Sequence, residues 1–85
     1  MKADLTKGLA QAVYDRAFRP GREARSDEYK LGALNFLKNR LEGTELACPF
    51  KAGSLQFDAY FAGCDEGRVL ATALVREGQR FWVAA

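Results

Sequence analysis

The stretch from Ser26 to Gly43 constrains the chain most. Tyr29, Gly32, Ala33, Phe36, Leu37 and Leu41 return with the period of an α-helix and form one nearly complete face, with Arg40 on the same stripe. Ser26 can accept an orphan amide hydrogen, and Asp27 and Glu28 suit the positive end of a helix. Gly43 supplies the stop. Leu31 and Leu34 flank the main face, so this helix is expected to touch two neighbours, or one neighbour and a second copy. Gly32 on the buried stripe costs about 1 kcal/mol of helix propensity. Its presence there makes sense if another backbone comes close.

Two further segments can supply that neighbour. From Asp4 to Phe18, Leu5, Leu9, Val13 and Ala17 recur every turn, widened by Ala10, Tyr14 and Phe18, and "RPG" closes the segment. Ser54 can start a third helix whose stripe is Phe57, Tyr60, Phe61, Cys64, Gly67 and Ala71. Gly63 and Gly67, one turn apart, would let it pack closely on the Gly32 side of the central helix. A core of Tyr29, Phe36, Leu37, Phe57, Phe61 and Cys64 is expected. Between Gly43 and Gly53, Leu46, Cys48 and Phe50 should pack a loop onto the helices. Beyond Gly67 the third helix should run on through Ala71 and Leu74 to Gly78; a hairpin built from residues 69–75 and "RFWV" is the alternative. Phe81 and Trp82 are expected to fold back onto the bundle. The expected fold is mainly α: one domain over residues 1–85, a small bundle of about three helices with a packed Cys-Pro-Phe loop between the last two.

Composition narrows the function. The chain has no histidine, no Cys–His pair and no glycine-rich phosphate loop of known spacing, so catalysis is not expected. Two cysteines without histidine cannot complete a usual four-ligand zinc site, and no cofactor or metal is expected. Cys48 and Cys64 read as small apolar packing residues, reduced in a cytoplasmic setting. No stretch is apolar enough for a membrane span, and the opening residues lack the core of a signal peptide.

Charge is unevenly divided. Residues 1–40 carry nine Lys/Arg against five Asp/Glu, while residues 41–85 carry four against six. Arg16, Arg19, Arg22 and Arg25 fall at intervals of three across the Pro–Gly break. Their four guanidiniums could hold phosphates through forked hydrogen bonds, the alternative being a solvated edge partly neutralised by Asp15 and Glu23, and Lys30, Lys38 and Arg40 would complete a basic face for RNA. A protein partner or self-association would instead use exposed apolar residues such as Leu31, Leu34 and Trp82.

"EYKLGALNFLKNRLEG", "CPF" and "GSLQFDAYFAGCDEG" together resemble the ribosome modulation factor family and its small phage and prophage relatives. The resemblance covers residues 28–67. Cys48, Pro49 and Phe50 match the family's loop motif, Tyr60 stands where tryptophan is usual, and Gly63 matches the glycine that follows it. Cys64 occupies a position where a second aromatic is frequent, and Asp65 and Glu66 make this helix more acidic. The resemblance implies two antiparallel helices joined by the packed loop, and binding to ribosomes or ribosomal RNA in translation regulation. A phage-type module or homodimer that binds a host protein is the alternative.

Overall fold

A computed structural model describes residues 8–84, with side chains through Glu77. It consists of three helices: α1 (Leu9–Ala17), α2 (Asp27–Glu42) and α3 (Leu55–Ala84). Residues 4–7 of the expected first helix lie outside the described residues, as do the side chains of Phe81 and Trp82. No helix among the described residues is long and apolar enough to cross a membrane.

The expected helix signals act where they were placed. The Ser26 hydroxyl accepts the Tyr29 amide hydrogen at 3.2 Å, with Asp27 and Glu28 in the first turn. At the other end Gly43 takes φ 77°, and the amides of Gly43 and Thr44 reach back to the Asn39 and Lys38 carbonyls. The left-handed glycine thus turns the chain back over the last turn and gives the orphan Asn39 carbonyl a partner. Ser54 accepts the Phe57 amide hydrogen at 3.1 Å and starts α3. That helix passes through Gly78 to Ala84, so neither the stop at Gly78 nor the hairpin forms. One glycine costs only about 1 kcal/mol, too little to end a helix whose other residues tolerate the conformation.

α2 and α3 meet backbone to backbone. A Cβ placed on Gly32 would lie 1.9 Å from the Tyr60 carbonyl oxygen, and one on Gly63 would lie 1.9 Å from that of Tyr29. A Cβ on Gly67 would come within 2.8 Å of the Ala33 oxygen. The expected glycine-mediated packing is therefore present. Gly63 faces Tyr29, Gly67 faces Ala33, and Ala71 shares a buried cluster with Leu37. At the crossing itself Gly32–Tyr60 and Tyr29–Gly63 run in opposite order, as at an inclined contact, but the wider set Tyr29–Gly63, Ala33–Gly67 and Leu37–Ala71 advances together, so α2 and α3 run in the same general direction. This corrects the antiparallel pair implied by the family resemblance. Residues 43–54 are long because they must carry the chain back along α2 before α3 can begin.

Tyr60, fully buried, holds that return segment. Its hydroxyl accepts from Asn35 Nδ2 at 3.1 Å and donates to the Ala47 carbonyl at 3.2 Å, while Phe50 packs edge-on against its ring at 5.9 Å. The Cys-Pro-Phe loop is thus packed as expected. α1 lies antiparallel to α2: Ala10 meets Glu42 at one end, and Phe18 meets Tyr29 at the other. Ala10, Leu37 and Ala71 join all three helices, with Val13, Tyr14, Leu41 and Leu70 around them.

The expected aromatic core needs correction. Leu37 and Cys64 are buried, but Tyr29, Phe36 and Phe57 are half-buried and Phe61 is 40% exposed. Where glycines bring two backbones into contact, no layer of large side chains fits between them. The rings occupy the flanks instead, Phe57 against Phe61 at 4.7 Å.

Gly63→Ala should lower stability by about 2 kcal/mol or more, because overpacking typically costs 1–3 kcal/mol or more and outweighs the gain in helix propensity. Chemical denaturation would measure this; an unchanged midpoint would mean that the backbones do not touch. Burial raises the Cys64 thiol to about 11, whereas Cys48 is only half-buried. Iodoacetamide near pH 8 should therefore label Cys48 well before Cys64, since the thiolate is the reactive form. Equal labelling rates would contradict the packing around Cys64.

Candidate functional site: an arginine-rimmed groove

The N-terminal half supplies a site through the way α1 is fastened. α1 begins after Gly8 without a side-chain cap of its own. Glu42, at the far end of α2, supplies one: its Oε2 accepts the Ala10 amide hydrogen at 2.9 Å. This carboxylate satisfies an orphan donor and complements the positive helix end.

The other end of α1 is held by Arg22. Its Nη1 donates to the Ala17 carbonyl at 3.0 Å, and its Nη2 donates to Glu66 Oε1 at 2.7 Å. The Tyr29 hydroxyl donates to the same oxygen, also at 2.7 Å. Phe18 lies 4.1 Å beneath the Arg22 guanidinium carbon, stacks on Tyr14 at 4.8 Å, and meets the edge of Tyr29 at 6.4 Å. Three helices and the Pro–Gly connector are tied at one partly buried carboxylate. The Arg22 hydrogen bond lowers the Glu66 pKa, burial opposes it, and the Tyr29 bond adds to the lowering. Arg22 is raised by the same bond, against its own desolvation. Tyr29 is raised first by burial and then by Glu66.

Arg22 is therefore a structural tie as well as a member of the arginine series, its guanidinium engaged inside the protein by Ala17 and Glu66. Glu66 escaped sequence reasoning because its partner lies 44 residues away, and neither residue's local pattern points to the other. Glu42 escaped for the same reason.

Beside this tie an open groove of about 760 Å³ runs between α1 and α3. Val13, Leu70, Ala73 and Leu74 give it apolar surface; Arg16, Arg19 and Arg22 line one side, with Glu66 and Glu77 among its acidic groups. Arg16 and Arg19 are exposed and make no ion pair among the described residues. Arg25 is near the same corner, over the Tyr29 ring at 4.7 Å, but does not line the groove.

The remaining basic candidates are not gathered there. Lys30 sits 3.7 Å from Asp27. Lys38 and Arg40 lie near the opposite end of α2 and, two residues apart, point roughly 160° away from each other. The family-motif residues Cys48, Pro49, Phe50, Tyr60 and Gly63 belong to the loop and the helix crossing, away from this groove.

Apolar exposure also differs from expectation. Leu31 and Leu34 are half-buried, and the exposed large apolar residues among the described ones are Leu55, Phe61, Val69 and Val75, all on α3. In comparisons with known proteins, the chain matches no family model, no curated sequence and no solved structure.

The Glu66 tie has a pH signature. Its folded pKa is depressed, so its contribution to stability is present above the ordinary carboxylate range and is lost as pH falls through the folded value. Glu66→Gln should lower stability at pH 7 and flatten the loss of stability on acidification. Denaturant midpoints at pH 7 and pH 3 would check this; parallel pH profiles for the variant and parent would remove Glu66 from the tie.

Proposed function

We propose that this protein is a non-catalytic binding module that contacts RNA, in the manner of the ribosome-associated family its residues 28–67 resemble. The observation that carries the reading is the gathering of Arg16, Arg19 and Arg25 around the α1–α2 corner, exposed and without carboxylate partners among the described residues. Guanidiniums free of internal partners can take phosphates through forked hydrogen bonds. The basic surface is smaller than the seven residues read from sequence, since Lys38 and Arg40 do not join it and Arg22 is engaged with Glu66.

Recognition of a host protein through exposed apolar surface is the competing reading. Leu55, Phe61 and Val69 are separated along α3 by Asp58, Asp65 and Arg68, and Arg76 follows Val75. Apolar residues scattered among charges are ordinary on a folded surface and do not make a contiguous patch. That distribution supports RNA over a greasy protein interface. The family likeness further suggests the ribosome, in the cytoplasm, as the source of the RNA.

Replacing Arg16 and Arg19 together by Gln should weaken RNA or ribosome association and leave the fold intact, because neither residue makes an ion pair among the described residues. On single strands each lost phosphate contact removes roughly 0.7 from the log–log salt slope, so the pair should flatten it by about 1.4. Gel shifts and ribosome sedimentation across a salt series would measure this. An unchanged slope would remove these arginines from the interface, and no binding by the parent would overturn the RNA reading.

A further inference from the structure

The groove offers more than positive charge. Val13, Leu70 and Leu74 supply apolar surface, and exposed Arg16 and Arg19 stand beside it. Arg22 is fixed over Phe18 and bonded to Ala17 and Glu66, yet it still lines the groove. Glu66 Oε1 takes both the Arg22 and the Tyr29 bonds, while Oε2 accepts none among the described residues. A carboxylate clamped through one oxygen leaves the other as a positioned acceptor.

Apolar surface, cations along one side and one fixed acceptor together complement a nucleotide, which has apolar ring faces, an anionic phosphate and a hydrogen-bonding edge. An acidic peptide would satisfy the arginines, but its carboxylate side chains bring no donor to Glu66, whereas a nucleotide carries its anion and its donor at opposite ends and can keep the phosphate away from Glu66 and Glu77. A basic peptide would satisfy Glu66 and oppose three guanidiniums. The volume, about 760 Å³, falls within the range of small-ligand sites.

We infer that the groove binds one unpaired nucleotide bearing an exocyclic amino group, with its phosphate held by Arg16 and Arg19 and its amino group donating to Glu66 Oε2. The base lies on the apolar surface beside Arg22, whose immobilised guanidinium offers a stacking plane. This deepens the RNA reading and rests on it. Arg16, Arg19 and Arg22 precede the family-like segment, so the specificity belongs to the part of the chain that the resemblance does not cover.

Oligocytidylate and oligouridylate of equal length separate the two layers, since their bases differ by an amino group against a carbonyl on the pairing edge. Fluorescence anisotropy with the full chain should show oligocytidylate binding about tenfold tighter, the size of one well-placed base contact. A fully paired RNA should bind no better than oligouridylate. Glu66→Gln should erase the preference. Because that variant also loosens α1, Ala73→Trp serves as an independent test: it fills the groove from an exposed position and should bring oligocytidylate down to the oligouridylate level. Equal affinity for all three RNAs, insensitive to Ala73→Trp but weakened by the Arg16/Arg19 replacements, would overturn the nucleotide site and leave the RNA reading standing. Absence of binding to every RNA would overturn both, and binding of an oligoglutamate peptide blocked by Ala73→Trp would reassign the groove to an acidic protein segment.

Discussion

The contact of α2 with α3 through their main chains is the condition on which the rest of the molecule depends. Gly32 and Gly63 leave no room for a side chain at the crossing, so the Tyr29 and Tyr60 carbonyls face the partner helix's glycines. This arrangement permits Cα–H···O contacts in addition to dispersion across a close-packed seam. The closeness then dictates where everything larger must go. Tyr60 turns under the return loop and becomes buried, whereas Phe61, its neighbour, remains 40% exposed. In a chain of 85 residues, where the buried fraction is limited by size, close packing of small residues substitutes for a thick aromatic core.

α1 is secured on different terms. Ala10 is its one fully buried residue, and its ends are fixed by polar groups: Glu42 at the first turn and Arg22 at the last. A helix with little buried apolar surface belongs to the less stable part of a fold. That helix also carries Arg16 and lines the groove with Val13. The proposed binding surface is thus built where a rigid pair of helices meets an element held by charge and hydrogen bonds.

Much of this architecture was legible in local sequence. Ser26, Gly43 and Ser54 announce boundaries because capping is decided by adjacent backbone groups. Gly32, Gly63 and Gly67 could be matched across the chain because a glycine on a buried helical stripe needs a reason. The direction of α3 was not legible: a stripe of small residues fits a parallel or an antiparallel neighbour equally well. Nor did periodicity distinguish Tyr60 from Phe61, which are adjacent on the helix and separated only by which flank the loop covers. At the candidate site, the clustering of Arg16, Arg19 and Arg22 was visible, but the diversion of Arg22 into a tie with Glu66 was not. Such pairings depend on tertiary placement and leave no periodic mark.

The shared direction of α2 and α3 also governs how the chain can assemble. An antiparallel helical hairpin closes a short loop and begins to zip at once. Here the contacts between Tyr29 and Gly63, and between Ala33 and Gly67, join residues far apart in the chain, and residues 43–54 must traverse the length of α2 before any of them can form. Loop-closure entropy is therefore lost before the glycine seam repays it. For a small helical protein this raises the contact order, and the Cys-Pro-Phe segment packed over Tyr60 lies inside the loop that has to close.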